Sequence, residues 1–414
     1  MIEHYPSQAL FGLTLAIATI LLLAWARWRS RPTLPLPPGP PSEFLLGHSR
    51  VIPKENAAAV YAKWSKEYIV LNSADVARDI LDKKGANFCD RPRFTLLKIK
   101  LLQTSFSNTN VRQWHSLQIT EARRTIRDIL KKPKTWETSL RRLAVAIVLQ
   151  VNYGTQVLED DDPYIQIAND AMYATGNGGV PANIRYLPDC IVRDWSLRFA
   201  RQWRWAIKKL HDVPLAAAQA EYHRDDHYRN TSLTHLLLRE YKDKEFRGQE
   251  QQWSLDDIKG AAGAVFIAGA DTESSQSWSP LAPLGIPHKS LHDDIYKGML
   301  IPKGTVVYAN AYAMAHDERV YKNPHDFNPD RYEAGEPFPV GNFGFGRRVC
   351  VGRFLADNSV WIMVATMLSV LRFCKKMSSD GKPIEPRVRF TNGGTWYIIS
   401  TVPMACFALT HSLQ

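Results

Sequence analysis

The ten residues Phe343 to Gly352, FGFGRRVCVG, constrain this chain more than any other stretch: they set one cysteine, Cys350, in a glycine-rich loop just ahead of the helix-like run FLADNSVWIMVATMLSVL that begins at Phe354. A cysteine ligates a metal only as thiolate, so a site built on one surrounds the sulfur with N–H donors and positive charge. Gly344, Gly346 and Gly352 free the backbone to fold closely around the sulfur, and Arg347 and Arg348 bring cationic charge within a turn of it. A helix N-terminus just beyond Cys350 favours the anion further through the macrodipole. The competing reading is a structural cysteine buried ahead of an amphipathic helix.

The pattern F-x-x-G-x-R-x-C-x-G, carried here by Phe343, Gly346, Arg348, Cys350 and Gly352, resembles the haem-binding loop of the cytochrome P-450 family. The resemblance implies that Cys350 is the axial thiolate ligand of haem b iron, with Phe343 packed near the sulfur, Gly346 and Gly352 shaping the loop and Arg348 holding a haem propionate.

At 414 residues, with 45% hydrophobic and 22% charged residues, the chain has a globular composition and is long enough to enclose a large cofactor. Its five cysteines are odd in number, scattered and without C-x-x-C spacing, which argues against a disulfide framework or a zinc site. A net charge of +11 suits an anionic membrane surface or an acidic protein partner. No nucleic-acid-binding motif accompanies that charge, so a nucleic-acid partner is not expected.

Residues 9–26, ALFGLTLAIATILLLAWA, are uncharged, mostly apolar and just long enough to span a bilayer. Trp25, Trp28, Arg27, Arg29 and Arg31 lie at the C-terminal edge, so the positive-inside rule places the rest of the chain in the cytosol. A cleaved signal peptide is the alternative, but Glu3 and the lack of Lys or Arg before the apolar run count against it. The stretch PTLPLPPGPP, 32–41, cannot be helical and reads as a semi-rigid spacer. The expected organisation is thus an anchor at 1–31, a proline-rich hinge at 32–41 and one haem-thiolate monooxygenase domain at 42–414.

Ser254-x-x-Asp257 is a capping-box variant that opens a helix, continued by AAGAVFIAGA. Gly260, Gly263 and Gly269 each cost about 1 kcal/mol against Ala inside a helix, so something should require them, and close approach of a flat ligand would. AGADT, residues 268–272, resembles the family's oxygen-activating helix, which implies that Asp271 and Thr272 manage proton delivery. His288 lies where family members often contact a haem propionate, the strand-like run at Tyr68 to Leu71 precedes a helix from Ala74 to Lys84, and Ile301 to Val307 reads as a strand pair's turn and second strand. Pro324-x-x-Phe327-x-Pro329-x-Arg331-Tyr332 resembles the family's P-x-x-F-x-P-x-R-aromatic stretch.

The chain also departs from the family. Between Phe94 and Arg127 nothing supplies W-x-x-x-R, since Trp114 is followed four positions on by Gln118, and no strands precede Tyr68 in number. Trp278-Ser279-Pro280 runs almost directly into Ala282-Pro283, where members carry further helices with the E-x-x-R motif. The E-x-x-R strings here, Glu121/Arg124 and Glu221/Arg224, lie on the other side of AGADT. Arg331 is therefore expected to be a buried guanidinium without its partners, and the chain to hold haem poorly. The basic stretch from Glu121 to Lys134 reads as a solvated helix face.

The fold expected is mainly α with small β-sheets (α+β), an incomplete cytochrome P-450 fold behind an N-terminal transmembrane anchor. The resemblance implies a fungal haem monooxygenase of secondary metabolism in the endoplasmic reticulum membrane. It would act on a small hydrophobic organic substrate with dioxygen and with electrons from an NADPH-dependent flavin reductase that Arg347 helps to dock. Two other readings stay open on sequence: a non-catalytic splice-form or gene-model remnant, and a haem-thiolate isomerase or peroxygenase needing no reductase.

Overall fold

The computed structural model describes residues 57–63, 69–91, 105–177, 195–222, 230–270, 282–374 and 377–384, with short pieces at 18–19, 21–22, 34–37, 102–103, 280 and 405–409. Eight longer helices carry the architecture: α1 His115–Lys131, α2 Trp136–Tyr153, α3 Pro163–Asn177, α4 Trp195–Gln202, α5 Arg204–Tyr222, α6 Leu233–Phe246, α7 Leu255–Gly269 and α8 Arg353–Val370. The strands are β1 Val70–Leu71, β2 His288–Lys289, β3 Asp294–Tyr296, β4 Met299–Ile301, β5 Val306–Ala309, β6 Leu371–Cys374 and β7 Ala405–Leu409. The protein is mainly helical with small sheets, as the resemblance implies.

α7 begins as the sequence dictates. Ser254 Oγ accepts from the Asp257 N–H at 3.1 Å and Asp257 Oδ2 accepts from the Ser254 N–H at 3.0 Å, so two otherwise orphaned donors at the helix start are satisfied. Two apolar clusters meet on this helix. Ile258 and Ala261 join α1, α2, α6 and α8 through Ile126, Ile147, Leu237 and Leu355, while Ala262 and Phe266 join α2, α3 and α5 through Leu149, Ile167 and Leu210. α7 is thus the central helix.

Two of its glycines have a different cause from the one expected. A Cβ on Gly263 would overlap the His211 ring of α5, and one on Gly269 would overlap Val148 of α2, whereas Gly260 faces nothing within 4 Å. Helix-to-helix packing, not a flat ligand, requires the first two.

A three-stranded sheet in the order β1-β5-β2 pairs β1 parallel to β5 (Val70 with Tyr308) and β2 antiparallel to β5 (His288 with Val307). β3 and β4 form a separate hairpin. The turn at Pro302 to Thr305 therefore joins β4 to β5 of two different sheets and does not close a strand pair, which corrects the expectation for Ile301 to Val307. The helix expected from Ala74 exists, but it widens to a π-helical turn over Arg78–Lys83. The basic stretch in α1 is amphipathic as read: Arg123, Arg127 and Lys131 are exposed, while Ala122, Ile126 and Ile129 are buried.

Among the described residues no helix is long and apolar enough to cross a membrane, and nearly all of 9–26 lies outside them.

Candidate active site

The loop that carries Cys350 is built against the turn at Arg78–Lys83. Phe345 is buried among Leu71, Leu81, Val307 and Met314, the core under the three-stranded sheet. Gly346 follows at φ 60°, and a Cβ there would strike the Leu81 carbonyl. Its N–H donates to Asp82 Oδ1 at 2.5 Å. Only glycine meets both conditions, so Gly346 serves to dock the loop on the neighbouring turn and not to wrap the sulfur. The Cys350 N–H closes the loop by donating to the Phe343 carbonyl at 2.8 Å, which sets Phe343 and Cys350 opposite each other.

Gly352 is the N-cap of α8, and the Cys350 sulfur is turned toward that helix start, where the N–H groups of Gly352 and Arg353 act on it. Cys350 as a residue is exposed, yet its sulfur end is crowded at the foot of α8. Poor solvation pushes the thiol pKa up, while the Gly352 N–H, the Arg353 guanidinium and the Arg353 N–H pull it down. The cation that serves the sulfur is Arg353, contrary to the expectation for Arg347 and Arg348. Arg347 is exposed, and Arg348 Nε donates to the Cys89 carbonyl at 2.5 Å.

That contact brings Arg348 beside two further groups. His288, on β2 and 3% exposed, donates from Nδ1 to the Phe88 carbonyl at 2.8 Å. Arg91 donates to the carbonyls of Ile286, Pro287 (2.8 Å) and Arg348 (3.5 Å). Neither guanidinium is paired with a carboxylate among the described residues, and Arg91 Nε is buried without a hydrogen-bond partner. Burial and the Arg348 charge lower the Arg91 pKa to about 10, and burial, Arg91 and Arg348 lower that of His288 to about 4. Two cations and an imidazole crowded together without an acid form a place that favours an anion. A carboxylate-bearing cofactor fits that donor set. Sequence reasoning names Arg348 and His288 but not Arg91, whose only signal is its place in Cys89-Asp90-Arg91-Pro92.

The neutral state of His288 has a consequence for pH. The folded pKa of about 4 lies below the ordinary value of 6.5, so between these pH values the unfolded chain binds more protons. Stability present above pH 6.5 is lost as pH falls toward 4, by about 3 kcal/mol. Urea denaturation from pH 7 to 4 should show that slope, and His288→Asn should remove it. An unchanged slope in the variant would assign the effect to another group.

The remaining expectations divide. Asp271 and Thr272 lie outside the described residues. Arg331 is not left without partners. It is 7% exposed, and its donors reach the carbonyls of Asn328 (3.0 Å), Lys322 (2.9 Å), Asn323 (3.0 Å) and Asp326 (2.9 Å) together with Glu336 Oε2 (3.0 Å). The loop around it supplies the counter-charge that E-x-x-R was expected to provide. Of the two E-x-x-R strings, Glu121/Arg124 does pair, at 2.9 Å, but in α1 and remote in sequence from Arg331.

A family profile described as "Cytochrome P450" matches residues 275–395, the stretch that holds β2 to β5, Arg331 and the Cys350 loop. Over most of its length the chain is similar to fungal proteins of that kind. A tryptamine 4-monooxygenase of Psilocybe cyanescens is 28% identical over 86% of this chain and 90% of its own. A cytochrome P450 monooxygenase of Armillaria gallica is 25% identical, covering 92% and 94%. Cytochrome P450 monooxygenase 136 of Postia placenta is 26% identical, covering 94% and 92%. The chain is therefore similar to cytochrome P450 proteins, closely enough in residues 275–395 for the family profile to match and at 25–28% identity over most of its length. Those alignments run over 462, 484 and 493 positions, more than the 414 residues present, so each P450 relative carries internal length that this chain lacks.

Proposed function

We propose that this chain is a cytochrome P450, a haem-thiolate monooxygenase that inserts one oxygen atom of dioxygen into a small hydrophobic organic substrate, with electrons from an NADPH-dependent flavin reductase. The observation that carries the reading is the pairing of two features in one place: a cysteine sulfur turned toward a helix N-terminus and, two residues earlier in the loop, an acid-free cluster of Arg91, Arg348 and His288. Cys350 would hold the iron of haem b, and the two guanidiniums would hold its carboxylates. His288 joins them on gaining a proton at Nε2, which an arriving carboxylate favours. When bound, haem supplies the redox chemistry of the reaction. The protein's part is to hold Cys350 toward the iron, the Gly352 and Arg353 N–H groups and the Arg353 charge partly offsetting the burial that raises the thiol pKa, and to deliver protons through Asp271 and Thr272. Arg347, exposed beside the loop, is available to an acidic reductase surface.

The reduced protein with carbon monoxide should show the red-shifted band of thiolate ligation, and Cys350→Ala should abolish it while Cys89→Ala leaves it in place. Survival of the band in Cys350→Ala would overturn the assignment. Absence of haem from the unaltered chain would favour the second reading, a non-catalytic remnant, which the missing internal length supports. A haem-thiolate isomerase or peroxygenase is told apart by turnover without reductase.

Localisation belongs to the same proposal. Residues 9–26 would anchor the chain in the endoplasmic reticulum membrane with 42–414 facing the cytosol. Protease added outside sealed microsomes should then digest the main domain, and its protection would reverse the orientation.

A further inference from the structure

The short turn Gly346–Arg348, which leads through Val349 to Cys350, is held at both ends by one strap of chain, residues 79–91. At one end Asp82 Oδ1 accepts from the Gly346 N–H at 2.5 Å, a contact across 264 residues of sequence. At the other the Cys89 carbonyl accepts from Arg348 Nε, and Arg91 donates to the Arg348 carbonyl. The strap is itself fixed to the sheet, since the Asp90 carbonyl accepts from the Lys289 N–H of β2 at 2.9 Å and Phe88 is buried in the core beneath. The loop that carries Cys350 takes its position from this strap.

The strap begins in the π-helical turn Arg78–Lys83, where the Lys84 N–H reaches back to the Asp79 carbonyl at 3.3 Å. Such turns are rare and often mark functional places. Its two acids have different duties. Asp79 accepts from Tyr296 Oη at 3.0 Å and Lys83 Nζ at 2.7 Å, which ties the turn to β3. Asp82 instead meets the loop, and from Gly346 the constraint passes on: the Val349 N–H donates to the Gly346 carbonyl at 3.2 Å, and the Cys350 N–H to the Phe343 carbonyl at 2.8 Å.

We propose that Asp82 is a positioning residue for Cys350: by holding the Gly346 N–H it fixes the turn on which the sulfur stands. The consequence for haem rests on the reading proposed above, whereas the hold on the loop does not. Removing a group that orients a metal ligand changes metal affinity by about ten- to a hundredfold. Asp82 is exposed, so its effect belongs at the lower end.

Asp82→Ala, Asp82→Asn and Asp79→Ala, made in the full chain in detergent micelles, test it by hydrogen exchange of the loop amides and by haem titration with the thiolate band of the reduced carbon monoxide complex. Asp82→Ala should speed exchange at Gly346 by about tenfold, weaken haem binding by about tenfold and shrink the band. Asp82→Asn keeps an acceptor in place and should restore all three. Asp79→Ala should lower the urea midpoint through the lost tie to β3, yet leave exchange at Gly346 and the band unchanged. Unaltered exchange in Asp82→Ala, an Asp82→Asn variant as impaired as Asp82→Ala, or an equal effect of Asp79→Ala on the loop would overturn the proposal. An unaltered chain without a thiolate band would overturn the haem reading instead, and the exchange comparison would then decide by itself whether Asp82 holds the loop.

Discussion

Replacing Arg142 with methionine is expected to destabilise the protein by about 3–5 kcal/mol, the cost of removing one partner from a buried ion cluster. Arg142 has no exposed side-chain surface. Its Nη1 donates to Glu121 Oε2 at 2.7 Å and its Nη2 to Thr125 Oγ1 at 2.9 Å, and Asp128 and Asp160 each stand 3.6 Å from the guanidinium. Arg124 holds the other Glu121 oxygen at 2.9 Å, and Ser139 Oγ donates to Asp160. Without Arg142 three carboxylates would share one poorly solvated site between α1 and α2 with Arg124 as their one remaining close cation among the described residues. Since whole-domain stability is about 5–15 kcal/mol, the loss is a large fraction of it. Urea midpoints should show it, with Arg123→Met, on the exposed face of α1, changing stability by no more than about 0.5 kcal/mol. The double variant Arg142→Met with Glu121→Leu should recover part of the loss, because the least solvated of the three acids is gone. A loss in the single variant no larger than in Arg123→Met would show that the cluster contributes little.

How far such features are visible in the sequence depends on where their partners lie. The Cys350 loop, the Ser254–Asp257 capping box and the short strand before Ala74 are local patterns: the residues that satisfy one another stand within a few positions, so order and spacing reveal them. Arg91 is invisible because its meaning comes from Ile286, Pro287 and Arg348, each about two hundred residues or more away. Arg142 looks like one of many basic residues on a helix until α1 supplies Glu121 and Thr125. Gly263 and Gly269 show the same effect in reverse. A glycine in a helix announces a close approach without saying of what, and the answer, His211 and Val148, sits on two other helices.

Arg331 is the case in which a family pattern misleads, and it carries the other large expected effect. A missing E-x-x-R implies an uncompensated buried charge, but the loop from Lys322 to Glu336 closes on the guanidinium by itself. Four backbone carbonyls and one carboxylate surround it, Glu336 Oε1 also accepts from the Lys322 N–H at 3.2 Å, and the Glu336 N–H returns to the Arg331 carbonyl at 3.0 Å. Arg331→Ala should therefore cost about 3–5 kcal/mol, because it leaves an acid and several carbonyls without their donor at once. Glu336→Gln should cost far less, about 1 kcal/mol: Glu336 is partly exposed and glutamine keeps an acceptor for the guanidinium. Because this loop leads directly into the segment ending at Cys350, the same pair of variants separates the two ideas about the missing internal length. If the clasp replaces E-x-x-R, Arg331→Ala lowers both the urea midpoint and the thiolate band of the reduced carbon monoxide complex, whereas Glu336→Gln leaves the band intact. Equal midpoints for Arg331→Ala and the unaltered protein would mean that the loop is held from elsewhere and that Arg331 is not what compensates for the lost helices.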